Sequence, residues 1–362
     1  MAYRRIGVSA FGVMLLSAGH GVQALTIQLF DNGGVSGNAS VAAAYREAAD
    51  RWESLLSDPV NLKLNISYAY STSNQLAWAQ SNFVNASYSD VRTALQLDAS
   101  SASDAMAAAS LPGGSSVNML INRTADNPNG SGSQIPYLDA NGSANNQNLY
   151  LSRANARAMG LLSANDAFID ASLTFNSKYS WDYNPDDGVN TGEYDFVGIA
   201  MHEIAHAFGF LSGVDVLDQN SPPYTGAYAE DAFTFVTPLD LFRSSPLAAS
   251  YGAGTVDWTA GSREKFLSID GGLSFLAEFA TGENFGDGSQ ASHWQNANNH
   301  GLLDPQTPGG TALTVSSLDL LALDVIGWDV TTVAAPAPAG IGLIGLLSLG
   351  LYRRRAKQLP EI

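Results

Sequence analysis

The stretch His202-Glu-Ile-Ala-His206, continued as Ala-Phe-Gly-Phe210, constrains the fold more tightly than any other part of this chain. Histidines four apart face the same way on a helix, one turn apart, where both imidazoles can bind a single metal ion. Glu203 follows the first histidine and can take a proton from a water at that metal without being a ligand. Phe196, Val197, Ile199 and Ala200 lead into the motif. They predict a helix over residues 194–210 with an apolar face packed beneath a sheet, while His202 and His206 face a cleft. Gly209 stands three residues past His206, where a left-handed residue can end the helix and turn the chain sharply.

A catalytic zinc site needs three protein ligands and an open position. The 362-residue chain contains five histidines, of which His20 lies in a segment predicted to be removed. Two histidines therefore remain as partners for the motif, His293 and His300. Asp215 is an alternative, because an overshooting turn after Gly209 would carry its carboxylate round. Glu230 is another, which would make the site similar to that of the gluzincins; in that family the third ligand comes from a second continuous helix, which Gly209 disfavours. There is no cysteine, so disulfides, thiolate metal sites and cysteine nucleophiles are excluded. A formal net charge of −17 argues against nucleic acid or an anionic membrane surface as partner.

The N-terminus has Arg4 and Arg5, an apolar run over residues 6–18, and Val22-Gln23-Ala24, the pattern of a secretory leader over 1–24. At the other end, Pro336-Ala337-Pro338 precedes an uncharged apolar run over 339–352 and the cluster Arg353-Arg354-Arg355. A short hydrophobic span backed by basic residues places that cluster in the cytoplasm and everything before about residue 331 outside the inner membrane. Between these ends the pattern is mixed. Strands are expected over 25–30, 60–70, 116–122, 148–152 and 168–175. Helices are expected over 40–56, with Ser40 as cap, over 90–109, and over 316–326. The Gly/Asn/Ser-rich stretch 127–143 reads as loop. Asp182, Asp186 and Asp187 have the flavour of a structural calcium loop, but their spacing misses the EF-hand and fits a solvated turn better.

The HExxHxxG arrangement resembles the core of the metzincin metallopeptidases. Most of these place their third ligand at the position of Ser212, and serine is a poor zinc ligand. The leishmanolysin-like members instead carry an insertion after HExxHxxGF and supply the third histidine later, in a His-Trp pair; here that pair is His293-Trp294. Gly301-Leu302-Leu303-Asp304-Pro305 is similar to the turn beneath the metal in that family, with Leu303 where methionine is usual. Ser317-Leu-Asp-Leu-Leu-Ala-Leu-Asp-Val-Ile-Gly-Trp328 is similar to the helix that closes these domains.

The resemblance implies an α+β, two-lobed catalytic domain: a twisted mixed sheet with helices above the active-site helix, and a mostly irregular and helical lower lobe. It divides the mature chain into an N-terminal lobe over 25–192 and the active-site helix with the C-terminal lobe over 193–331. It implies one catalytic Zn2+ on His202, His206 and His293, Glu203 as general base, and a protein or peptide substrate. Tyr224 and Tyr228, in the insertion, are candidates for the donor to the oxyanion, although packing roles suit them better. The end over 332–362 resembles a PEP-CTERM sorting signal in a Pro-Ala-Pro variant. That implies a secretion translocon and an exosortase-like enzyme as partners, and a destination at the cell envelope or outside the cell; a permanent single-pass anchor is the alternative. A catalytically silent surface or matrix binding protein, or a zinc hydrolase of a non-protein amide, fits the same residues.

Overall fold

A computed structural model describes residues 24–296 and 300–331. The leader over 1–24, apart from Ala24, and the sorting segment over 332–362 lie outside the described residues. The architecture is mixed α and β, with one four-stranded sheet, several two- and three-stranded sheets, and helices of four to seventeen residues. Among the described residues no helix is long and apolar enough to cross a membrane.

The main sheet is built from β1 (Thr26–Gly33), β2 (Asn61–Ala69), β3 (Ala77–Ser81) and β4 (Ala171–Asn176), in the order β1-β2-β4-β3. β1, β2 and β4 run parallel, and β3 pairs antiparallel with β4, so β3 is an edge. On one face of β2, Leu62, Leu64 and Ile66 are buried at alternate positions, the signature of a strand with one face on the core. Covering that face are α1 (Ala39–Leu55) and α2 (Phe196–Phe208). Val41, Ala44, Tyr45, Ala48 and Trp52 form the buried stripe of α1 at helical spacing. Its cap is Asn38, whose side chain accepts from the Val41 amide, and not Ser40.

Aromatic packing joins the layers. The Phe175 ring of β4 stacks on Phe196 at 4.0 Å, and Tyr45 meets both edge-on. The indole of Trp52 donates to the Met201 carbonyl, which ties α1 to the helix that carries the histidines. The last helix, α3 (Ser317–Val325), opens with a reciprocal cap between Ser316 and Asp319 and is followed by Gly327-Trp328. Trp328 lies at 4.6 Å from Phe208 and donates its indole N–H to the Phe208 carbonyl at the end of α2. One continuous apolar core extends from Leu25 to Trp328.

The long helix expected over 90–109 is two helices, Tyr88–Asp98 and Ala102–Ser110, because Ser101 leaves helical geometry and caps the second through the Asp104 amide. The stretch expected to be loop contains a three-residue strand, Tyr137–Asp139, paired with Met119–Ile121.

Candidate metal centre

Helix α2 starts at Asp195, whose carboxylate accepts from the Gly198 amide at 2.8 Å and from the Leu313 amide at 2.9 Å. It ends at Gly209, which sits at φ +109°. There the Gly209 N–H reaches the His206 carbonyl and the Phe210 N–H reaches the Ala205 carbonyl, the paired bonds of a Schellman turn. A Cβ at Gly209 would lie 3.0 Å from the Asn155 Cβ, so both the backbone angle and the space favour glycine.

That turn sends the chain into the long segment after Gly209, whose far end returns His293 to the helix. The Nε2 atoms of His202 and His206 are 3.0 Å apart, and each is 3.2 Å from Nε2 of His293. Each Nδ1 faces a backbone carbonyl: Leu302 at 2.7 Å for His202, Phe210 at 2.8 Å for His206 and Gln290 at 3.3 Å for His293. A carbonyl only accepts, so the proton of each neutral ring sits on Nδ1 and the Nε2 lone pairs point at one another. Three converging lone pairs repel unless a cation lies between them. Burial holds the rings neutral, pushing His206 down to about 3, with His202 adding to the effect. His202 is lowered by burial against the Leu302 carbonyl and Asp319. His293 is lowered by burial and by the other two histidines. Zn–N bonds of about 2.0–2.1 Å in a tetrahedron separate nitrogens by about 3.3 Å, close to the spacing here. These three residues fit a metal ion, and they are the only such group among the described residues.

Glu203 is buried beside His202, and burial pushes its carboxyl up to about 8 while the Ala79 amide opposes the shift. A dication on the histidines acts in the same sense as that amide and favours the carboxylate. The Leu302 carbonyl is itself held by α3. Asp319 is fully buried and accepts from Trp294 Nε1 at 2.8 Å, the Leu302 amide at 2.8 Å, the Leu303 amide at 3.3 Å and the Ser316 amide at 2.7 Å. One carboxylate thus sets the turn under His202 and the neighbour of His293. Leu303 is buried, and its carbonyl accepts the Trp294 amide, which ties this turn to the His293-Trp294 segment. Gly301 is required here, because a Cβ would stand 2.3 Å from Asp319 Oδ2.

The other candidates lie outside the cluster. His300 accepts the Glu278 amide and packs edge-on against Trp294. Both oxygens of Asp215 are engaged by Ala291 and Ser292, and burial pushes its carboxyl up to about 6. The Glu230 carboxylate is taken up by Tyr137 and Asn141. Tyr224 and Tyr228 are exposed and do not line the cleft. Asp182 accepts from Asn184 and Asn190, and Asp186 pairs with Arg51, so these carboxylates hold their turn through N–H donors.

The histidines open into a cleft of about 1060 Å³. One wall is residues 74–83, which include the whole of β3. The bonds Asn176 N–H to Leu76 O and Asn82 N–H to Asp170 O set the ladder on even-numbered residues. By alternation, Ala77, Ala79 and Ser81 turn their backbone groups away from β4, toward the cleft. Sequence reasoning missed this strand. Among the described residues, no lysine or arginine lines the cleft.

No protein-family model, curated protein or solved structure matches this chain.

Proposed function

We propose that this protein is an exported, zinc-dependent metalloendopeptidase with a two-lobed, metzincin-type catalytic domain. The observation that carries the reading is the convergence of three Nε2 lone pairs, each fixed by a carbonyl on Nδ1, beside a buried carboxylate in an open cleft. When bound, zinc supplies Lewis acidity, activating water and drawing charge from the scissile carbonyl. Glu203 receives the proton of the attacking water and passes it to the leaving amine. The Ala79 amide keeps the Glu203 carboxylate aimed, and the Ala79 carbonyl with the outward backbone groups of Ala77 and Ser81 offers an extended peptide a strand edge to pair with. Such a cleft favours a polypeptide over a compact amide.

Export across the inner membrane belongs to the same proposal and rests on the sequence patterns of the two ends, with a translocon and a sorting enzyme as the implied partners. The activity test is hydrolysis of a peptide library by the purified protein. Glu203→Gln should keep zinc and lose about 10²–10⁴-fold in kcat/KM, the usual weight of a general base. Undiminished cleavage by that variant would remove Glu203 from the role, and wild type without peptide hydrolysis would favour a silent binding protein.

A further inference from the structure

We infer that Asp215 is the positioning residue for the third metal ligand, an inference that rests on the metal-centre reading above. His293 arrives from the far end of a long insertion that has no disulfide to fix it. What fixes its segment is a carboxylate that follows α2 closely in the chain. Asp215 Oδ1 accepts the Ala291 amide at 2.6 Å, and Oδ2 accepts both the Ser292 amide at 3.2 Å and the Ser292 hydroxyl at 2.5 Å. The same Ser292 Oγ accepts the Ser212 amide at 2.8 Å, so one hydroxyl bridges the two stretches of chain. From the other side, buried Arg243 donates to the Ala291 carbonyl at 3.3 Å. The Ala291 peptide unit is therefore gripped at its N–H by Asp215 and at its C=O by Arg243.

The position of this clamp gives it a role in ligation beyond holding a loop. It joins the two segments whose carbonyls set the ring tautomers, Phe210 for His206 and Gln290 for His293. The base of the clamp is rigid as well. Buried Asp240 holds the Ser212 hydroxyl at 2.6 Å and the Gly213 amide at 2.9 Å. Charged hydrogen bonds of this kind are the stronger and more directional class. Partners one step behind a ligand orient it, and losing one lowers metal affinity while the ligand itself remains. Asp215 lies outside the metal cluster, with both oxygens engaged by residues 291–292; it sets the distance and heading of His293 relative to α2.

The experiment uses the full-length protein with zinc or cobalt(II) as probe. Zinc affinity is read by competition with a chelator, and ligand geometry by the visible absorption of the cobalt form. The control is Asp218→Asn, since Asp218 is a buried carboxylate in the same insertion that holds the Asn284 and Phe285 amides and makes no bond to residues 290–293. Asp215→Asn should bind zinc about 10–100-fold more weakly and shift the cobalt spectrum, whereas Asp218→Asn should stay within about twofold of wild type with an unchanged spectrum. Ser292→Ala, which keeps both amide bonds to the carboxylate, should show a smaller loss in the same direction, and decides the matter if Asp215→Asn fails to fold. Wild-type affinity in Asp215→Asn or, failing that, in Ser292→Ala overturns the proposal. So does an equal loss in Asp218→Asn, which would mark general loosening of the insertion. A wild-type protein that takes up no zinc removes the metal centre, and this role with it; zinc-replete wild type beside an unaffected Asp215→Asn removes the positioning role alone.

Discussion

Replacing Asp319 by asparagine tests how the site is braced from below. The carboxylate is fully buried and accepts four N–H groups, two on each oxygen. Asparagine keeps one oxygen and turns the other into a donor that faces donors. The least damaging orientation keeps Leu302 and Ser316 satisfied and gives up Trp294 and the longer Leu303 bond. Each lost bond to a charged acceptor is worth roughly 1.5–3 kcal/mol, and the two retained bonds weaken as the charge disappears. Relief from burying a carboxylate offsets part of this, leaving a net destabilisation of about 3–5 kcal/mol. At roughly 1.5 °C per kcal/mol for a folded part of about 300 residues, the melting temperature should fall by about 5–8 °C. The assay is thermal unfolding of chelator-treated protein followed by circular dichroism, with zinc affinity measured in parallel. Because Leu302 carries the carbonyl that fixes His202 and Trp294 adjoins His293, zinc should also bind about 10–100-fold more weakly. A melting temperature within about 2 °C of wild type, or a large fall with unchanged zinc affinity, would refute the bracing argument.

Three further predictions address the ligand set, the helix end and pH. His293→Ala should reduce zinc affinity by at least about two orders of magnitude in chelator competition while the protein stays folded; unchanged affinity would move the third ligand elsewhere. Gly209→Ala should cost about 1–3 kcal/mol in urea unfolding, because alanine resists φ +109° and its Cβ meets Asn155; a neutral effect would contradict the reading of the turn. Burial, together with Asp329, pushes the Asp58 carboxyl up to about 8, above its usual value. The stability it contributes is complete below about pH 4 and is lost as pH rises through about 8. The buried neutral histidines act in the opposite sense, so the comparison with Asp58→Asn isolates the carboxyl. The variant should gain on wild type between about pH 5 and about pH 8, and a gap that narrows in that window would contradict the assignment.

The features legible in the sequence were those with local causes. The α2 stop at Gly209 and the α3 start at Ser316 are set by residues within one turn of the helix ends, and both appear where such residues stand. The break at Ser101 had a local sign too, a serine three before Asp104, but a run of alanines reads as continuous helix across it. β3 was hidden for a different reason. Ala-Trp-Ala-Gln-Ser has no β-branched residue, and its strand character comes from pairing with β4, far along the chain. The same separation conceals the supports of the site. Asp215 and Asp319 are recognisable as carboxylates, and their burial among the amides of 291–292 and 302–303 exists only once the insertion has folded back.

His202, His206 and His293 are proposed to hold one metal ion together through Nε2. X-ray absorption at the zinc edge on the purified full-length protein, with metal content measured on the same sample, tests it most directly. Such a centre should give about one zinc per chain and a first shell containing three imidazole nitrogens at about 2.0–2.1 Å. Protein that remains metal-free after exposure to zinc, or a shell with fewer than three imidazoles, would contradict it.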